Sequence, residues 1–277
     1  MTNTVLITGT SSGYGKAAAE LFLERGWQVA ATMRRPDPDT FPMKSERLKI
    51  IPLDVTSASS IEGAIGDTMK AFGKIDVFVN NAGIGLASAL EVTPDAVIRE
   101  IFETNTFGVM ATCRAIIPYL RGQKGGTIIN VTSSASIAPM PLVAVYAASK
   151  CAIDGFTESL AYELAPFGIK TRVVAPGYAP TTNFTANGGP RMAGLIPGHY
   201  GEFAQSCFQK MADYPTGFCK ETEVAEAVFE AATDSSRDVR FLAGADTRLV
   251  AGLRWETSEA HYLERMRQMF EPSMEHK

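Results

Sequence analysis

Only four cysteines occur in 277 residues, and Cys113, Cys151, Cys207 and Cys219 include no Cys-x-x-Cys pair. So thin a set leaves no zinc-ligand spacing and no disulfide framework, and reduced thiols in a cytoplasmic protein are expected. Net charge is also small: 26 basic against 30 acidic residues leave -4, no broad footprint for nucleic acid or an anionic membrane. No apolar run approaches the ~20 residues that a membrane-spanning helix requires. The chain enters Val5-Leu6-Ile7 without a basic segment and a long apolar core, so no signal peptide is expected. Internal repeats, charge runs and linkers are missing too, which reads as a single domain over 1–277. A composition of 45% hydrophobic and 20% charged residues is ordinary for a globular chain able to bury a substantial core.

What is present alternates between two periodicities. Residues 4–8, 28–32, 48–53, 75–80, 127–132 and 170–175 are short, β-branched and apolar on both faces, as strands of a parallel sheet covered by helices should be. Between them, 15–25, 59–72, 95–121 and 145–167 carry helical patterns, the third opening on Thr93-Pro94-Asp95. A helix over 221–233, a last strand over 239–242 and an amphipathic helix over 257–270 follow. Repeated strand-helix order predicts an α/β fold, a doubly wound parallel sheet of Rossmann type with helices on both faces. Residues 176–217 break the rhythm with Gly188-Gly189-Pro190 and Pro197-Gly198, and read as a segment of little regular structure. Its length suits a substrate lid over 178–220, or else a mobile surface insertion.

Two motifs carry chemistry. The first strand runs at once into Gly9-Thr10-Ser11-Ser12-Gly13-Tyr14-Gly15 and then a helix. Glycines permit a tight turn and close backbone approach to a pyrophosphate, and a helix N-terminus offers free N–H groups at the positive end of its dipole. At the end of the second strand, where an acid would bind the ribose 2′-hydroxyl of NAD, the chain offers Arg34 and Arg35 and no acid before Asp37. Guanidinium groups match a 2′-phosphate by forked, charge-assisted contacts, so NADP(H) is the expected cofactor. The plainer alternative is that both arginines only solubilise a strand end. The second motif is Tyr146-Ala147-Ala148-Ser149-Lys150, which places a phenol and an ammonium on one helix face. A nearby cation favours phenolate, so the pair reads as a tuned general acid/base.

Together these motifs resemble the short-chain dehydrogenase/reductase family over nearly all of residues 4–241. Thr8-Gly9-x3-Gly13-x-Gly15, Asp54, Asn80-Asn81-Ala82-Gly83, Asn105, Ser133, Tyr146-x3-Lys150 and Pro176-Gly177 stand in the family's order. The resemblance implies a seven-stranded parallel sheet and an NADP-preferring, carbonyl-reductase-like oxidoreductase. It implies Tyr146 as the acid, Lys150 as the residue that lowers the tyrosine pKa and binds the nicotinamide ribose, and Ser133 as the group orienting the carbonyl. Ser134 and Ser136 are neighbours that leave the serine open on residue type alone. Asn105, near a helix break permitted by Gly108, is implied to hold a water linking Lys150 to solvent. For the cofactor the resemblance implies Gly9, Ser11, Ser12, Gly13, Tyr14, Gly15, Arg34, Arg35, Asp54, Val55, Asn81, Ala82, Gly83, Val131, Tyr146, Lys150, Pro176, Gly177 and Thr181. Asp54 could instead cap the turn before Thr56, and Thr182 competes with Thr181.

The expected substrate is a small, hydrophobic ketone or secondary alcohol. It would meet Ile137, Met140 and Leu142, with Phe184, Met192, Leu195 and Phe203 of the lid, although such side chains also serve plain packing. Rival readings on the same fold are a non-catalytic nucleotide-sensing regulator, an NAD-preferring alcohol dehydrogenase and an adenosyl-dependent methyltransferase. Apolar residues beyond one stripe on the two long helices, among them Met110, Phe156 and Leu160, predict a homodimer in preference to a homotetramer. Neither metal, nucleic acid nor membrane is expected as a partner.

Overall fold

A computed structural model describes residues 2–179, 189, 191–212 and 216–270. The strands are β1 (Thr4–Thr8), β2 (Gln28–Met33), β3 (Leu48–Pro52), β4 (Val77–Asn80), β5 (Gly126–Val131), β6 (Ile169–Pro176) and β7 (Arg240–Ala243). They form one parallel sheet in the order β3-β2-β1-β4-β5-β6-β7. Every residue of β1 and β4 is buried, while the edge strand β3 buries only Ile51 and β7 alternates between partly exposed and buried positions. That contrast is expected of a sheet covered on both faces, where only edges meet water.

The helices are α1 (Gly13–Glu24), α2 (Ala58–Phe72), α3 (Asp95–Phe102), α4 (Gly108–Gly122), α5 (Ser134–Ile137), α6 (Ala144–Leu164), α7 (Gly201–Ala212), α8 (Glu221–Thr233), α9 (Ala245–Glu256) and α10 (Glu259–Phe270). On one face of the sheet, α1 and α8 pack over Val5, Ile7, Val29 and Ile129, with Phe22 set edge-on to Trp27 at 5.0 Å. On the other, α2, α4 and α6 cover Leu6, Ala30, Phe78 and Ile128. Strand order reverses between β1 and β4, where a parallel sheet opens a crevice at its carboxyl ends.

Inside that second layer lies a closed polar network. Asn80 Nδ2 donates to Asn130 Oδ1 at 2.9 Å, Thr112 Oγ1 donates to Asn80 Oδ1 at 2.6 Å, and Asn130 Nδ2 donates to Thr157 Oγ1 at 2.8 Å. Adjacent strand ends β4 and β5 are thereby pinned to α4 and α6. Leaving any of these buried groups unpaired would cost ~1–3 kcal/mol, so the network fixes one register.

Three expectations are corrected. The segment 176–217 contains α7, whose Phe203, Ala204, Cys207, Phe208 and Met211 recur at helical spacing, with Ala204 and Cys207 buried. Residues 245–256 form α9 through buried Val250 and Ala251. The pattern read as one helix over 95–121 is interrupted by a π-turn at Glu103–Phe107. Leu160 also faces the core, whereas Phe107, Tyr119, Tyr162 and Phe167 are the exposed apolar residues of this region. Among the described residues, no helix is long and apolar enough to cross a membrane.

Candidate functional site

The glycine loop is held by the end of β4. Gly9 turns with φ 72°, and a Cβ there would come within 2.8 Å of Ala82 Cα. A side chain at Gly15 would overlap Asn81 Nδ2 and the Gly9 carbonyl. Asn81 Nδ2 donates to the carbonyls of Thr8 at 2.9 Å and Gly9 at 3.0 Å. Thr8 Oγ1 accepts the N–H groups of Asn81 and Ala82, both at 3.0 Å. Asn81 and Ala82 therefore clamp the loop from below. Ser12 precedes α1 without a side-chain cap, leaving the first-turn amides open to an anion, and Ser11 is exposed beside it.

Further along this edge, Arg34 and Arg35 are exposed just beyond β2. The Asp54 carboxyl is held below the usual range first by the Thr56 N–H, then by the Thr56 hydroxyl and the Arg34 guanidinium, against its partial burial. Its Oδ1 accepts from Thr56 N at 3.0 Å and from Thr56 Oγ1 at 2.8 Å, which is the turn-capping alternative raised for this residue. Val55 is buried against α4, its Cγ2 3.0 Å from where a Gly108 Cβ would stand.

The chemistry-bearing side chains converge at the end of β5. Tyr146, in the first turn of α6, hydrogen-bonds Ser133, which selects Ser133 from the three neighbouring serines. Ser133 also caps α5, its Oγ accepting from Ala135 N at 3.1 Å. Ser136 turns back to the Ser133 carbonyl at 2.6 Å, and Ser134 faces a cavity. One turn along α6, Lys150 Nζ donates to the Val131 carbonyl at 3.0 Å. It lies 3.4 Å, and Asn105 Oδ1 3.3 Å, from the Cβ that Gly83 lacks.

Burial dominates the electrostatics. It pushes the Tyr146 phenol up to about 12, the Ser133 hydrogen bond pulling the other way. It draws the Lys150 ammonium down to about 8, with Asp154 opposing. The influences on the phenol here are burial and Ser133, with Lys150 not among them. The lysine points at Val131, and burial disfavours both charged forms. Asn105 is 0% exposed in the π-turn, its Oδ1 accepting from Ile84 N at 2.8 Å and its Nδ2 donating to Ile84 O at 2.9 Å. With Ser149 Oγ as a further partner at 3.2 Å, the side chain acts as a clamp between the β4 end and α6.

Pro176 ends β6, and Gly177 donates to Ala243 O at 3.0 Å. Tyr14 reaches across to donate its hydroxyl to Gly177 O at 2.9 Å. Its phenol is pushed well above the ordinary value, mainly by burial and then by the charges of Cys219, Tyr146 and Asp246. Thr181, Thr182 and Phe184 lie outside the described residues. Near Gly177 a small cleft is lined by Ser134, Met140, Tyr178, Met211, Phe218, Asp246 and Phe270, among others. Of the expected pocket residues, Met140 lines it. Ile137 is buried with Val173 and Ala251, and Met192 and Leu195 pack with Leu86 and Val145 near Tyr146. Asp246, Tyr178, Phe218 and Phe270 were missed, because no sequence spacing relates them.

Residues 3–191 match the family described as short chain dehydrogenase. The chain is 35% identical over 207 residues to a 3-ketodihydrosphingosine reductase of Bacteroides thetaiotaomicron, covering 75% of this chain and 74% of the relative. A 3-ketoacyl-(acyl-carrier-protein) reductase from Brucella melitensis, solved with NADH, superposes with a TM-score of 0.73 at 25% identity, covering 87% of this chain and 95% of that one. ElxO with NADP bound gives 0.74 at 27% identity, covering 88% and 97%.

A pH signature follows from Lys150. Below about pH 8 folded and unfolded chains both carry the proton, and the folded state bears the cost of a buried ammonium. Between about 8 and the model-peptide value of 10.5 the unfolded chain holds a proton that the folded chain has released, so stability rises with pH. Lys150→Met should therefore be more stable than wild type at pH 7, by an amount that shrinks toward pH 10. Urea titrations across that range measure the gap, and a pH-independent gap would show that Lys150 is not a buried titrating group.

Proposed function

This chain belongs to the short-chain dehydrogenase/reductase family, and on that premise we propose that it transfers hydride between NADP(H) and a carbonyl or secondary-alcohol substrate. The observation that carries the reading is the partly buried Tyr146 phenol on Ser133, one helical turn from a lysine anchored at the end of β5. The residues present suit a dinucleotide. Glycines 9 and 15 form a cradle that any Cβ would fill, beside an uncapped helix start. Gly9, Ser11, Ser12, Gly13, Tyr14 and Gly15 would hold the pyrophosphate and its neighbours, Asp54, Val55, Asn81, Ala82 and Gly83 the adenosine side, and Val131, Pro176, Gly177 and Thr181 the nicotinamide side. When bound, the nicotinamide ring supplies or accepts the hydride.

The rest is the work of this chain's side chains. Tyr146 donates a proton to the carbonyl oxygen during reduction, a contribution typically worth ~10²–10⁴-fold. Ser133 takes the Ala135 N–H on one lone pair and keeps its own proton to orient the same carbonyl oxygen. A lysine whose ammonium sits near neutral pH is suited to pass a proton to the phenolate left behind, and Asn105 sets its position through Ile84 and Ser149. Arg34 supplies NADP(H) preference, since an exposed guanidinium stands where an acid would repel a 2′-phosphate. Free Cys113, Cys151, Cys207 and Cys219 accord with a reducing, cytoplasmic setting. Segment 178–220 serves as the lid, Tyr178, Met211 and Phe218 contributing to the cavity wall.

Oxidation of NADPH in the presence of a panel of ketones, repeated with NADH, tests the reading as a whole. No turnover of any ketone with either cofactor would favour the nucleotide-sensing alternative. Tyr146→Phe should lower kcat at least ~10²-fold and leave cofactor affinity nearly intact, because only proton transfer is lost. Activity within a few-fold of wild type would remove Tyr146 from the role of acid. Arg34→Asp should shift the ratio of kcat/KM from NADPH toward NADH by removing a charge-assisted contact and adding repulsion. An unchanged ratio would mean that Arg34 does not read the phosphate. A homodimer through α4 and α6 would cover exposed Phe107, Tyr119, Tyr162 and Phe167. Light scattering should then give about twice the 29.8 kDa chain mass, and a monomer mass at micromolar concentration would sink that arrangement.

A further inference from the structure

Tyr14 is the second residue of α1 and stands between Gly13 and Gly15, so it carries the one large side chain of the glycine loop. Its ring is half-buried against the core under α1. The hydroxyl leaves that core and crosses the crevice, donating to Gly177 O at 2.9 Å, 163 residues further along the chain. In the sheet, β4 and β5 lie between β1 and β6. At ~4.8 Å per strand the two strand ends stand ~14 Å apart, and this one side chain helps to join them.

Each end of the bond is fastened independently. The loop is clasped to the end of β4 by Thr8 and Asn81. Gly177 donates to Ala243 O at 3.0 Å, its missing Cβ leaves room for the Asp246 carboxyl, and that carboxyl accepts from Tyr178 N at 2.9 Å. Between the two ends, at the close of β5, stand the Tyr146–Ser133 pair and Lys150 on the Val131 carbonyl. A buried tyrosine hydroxyl often takes a backbone acceptor for satisfaction alone. Here the acceptor belongs to the opposite wall of the crevice, so the bond sets the spacing of two otherwise separate anchors.

Tyr14 is no rival to Tyr146 as the acid. Burial, and then Cys219, Tyr146, Asp246 and Glu221, hold its phenol well above the ordinary value. Each of those groups is itself an acid and disfavours a phenolate beside it. The proton therefore stays on the oxygen, committed to Gly177.

We propose that the Tyr14 hydroxyl is a strut fixing the separation of the pyrophosphate loop from the end of β6, and thereby a positioning residue for the nicotinamide half of the cofactor. The loop's phosphate role belongs to the backbone around residue 14, whereas the strut belongs to its phenol. A ligand occupying one half of the crevice does not sense the spacing, while one that spans both halves binds best when the spacing is set beforehand. The inference rests on the dinucleotide reading of the crevice.

Calorimetry on the full chain compares NADP⁺ with 2′-phospho-ADP-ribose, which keeps the pyrophosphate and lacks the nicotinamide. Tyr14→Phe removes a single oxygen. It should weaken NADP⁺ ~5-fold, the scale of one neutral hydrogen bond, and leave 2′-phospho-ADP-ribose within ~2-fold. Unchanged NADP⁺ affinity would overturn the strut. Equal weakening of both ligands would overturn it as well, because the effect would then lie in the loop alone. If NAD⁺ is the tighter dinucleotide, NAD⁺ and ADP-ribose make the same comparison. With a ketone that the wild type reduces, the variant should lower kcat, keep the ketone KM, and enlarge the kinetic isotope effect from cofactor deuterated at the transferred position, since a misplaced ring slows hydride transfer. A lower urea midpoint with nucleotide affinities and isotope effect unchanged would assign the bond to folding and overturn the proposal. The underlying reading fails separately. A wild-type chain that binds neither dinucleotide overturns the cofactor reading and the strut together, whereas one that binds NADP⁺ and reduces no ketone overturns hydride transfer alone, and the calorimetric difference still decides for or against Tyr14.

Discussion

The approach of the β1 glycine loop to the end of β4 is the constraint from which the rest of the site follows. Thr8 and Asn81 join the two strand ends through four hydrogen bonds, at 2.9 to 3.0 Å. Glycine at 9 and 15 is what lets the backbones come that close. At ~1 kcal/mol net per bond the clasp is comparable to a sizeable part of a domain's stability. It also directs the open end of α1 into the crevice at the carboxyl ends of the strands. A loop displaced by a single Cβ would lose both the clasp and the aim.

A second set of bonds carries that geometry to the reacting groups. The Asn80–Asn130–Thr157 chain ties β4 and β5 to α6, and Asn105 ties the residues just beyond β4 to Ser149 on the same helix. Tyr146 and Lys150 are thus set against Ser133 and Val131 by contacts on three sides. The π-turn at Glu103–Phe107 has a use here, since the change of pitch presents Asn105 to Ile84 in the middle of an otherwise continuous helix. Burial then works against both ionised forms, leaving a phenol that holds its proton and a lysine that readily gives one up.

Asp246 is a second buried titratable group. In the lysine, the lost solvation is partly offset by the Val131 carbonyl and Asp154, and in Asp246 by the amides of Tyr178, Thr247 and Asp246 itself. Glycines at 177 and 244 make the space that its carboxyl occupies.

The sequence by itself determined the sheet, because strands buried on both faces must be apolar throughout, and residues 4–8 and 221–233 match β1 and α8 end to end. It likewise determined the glycine loop and the Tyr146–Lys150 face, whose spacing is local. Which serine meets Tyr146, where Lys150 points and how far burial moves each pKa were decided only by tertiary structure, since they depend on α5 and β5 being brought against α6. The helix α7 was legible in its apolar spacing but was outweighed by nearby glycines and prolines. Asp246 was not legible at all. A lone acid after Gly244 carries no periodic signal, and its burial arises only when α9 folds its side chain against Gly177, sixty-nine residues earlier in the chain.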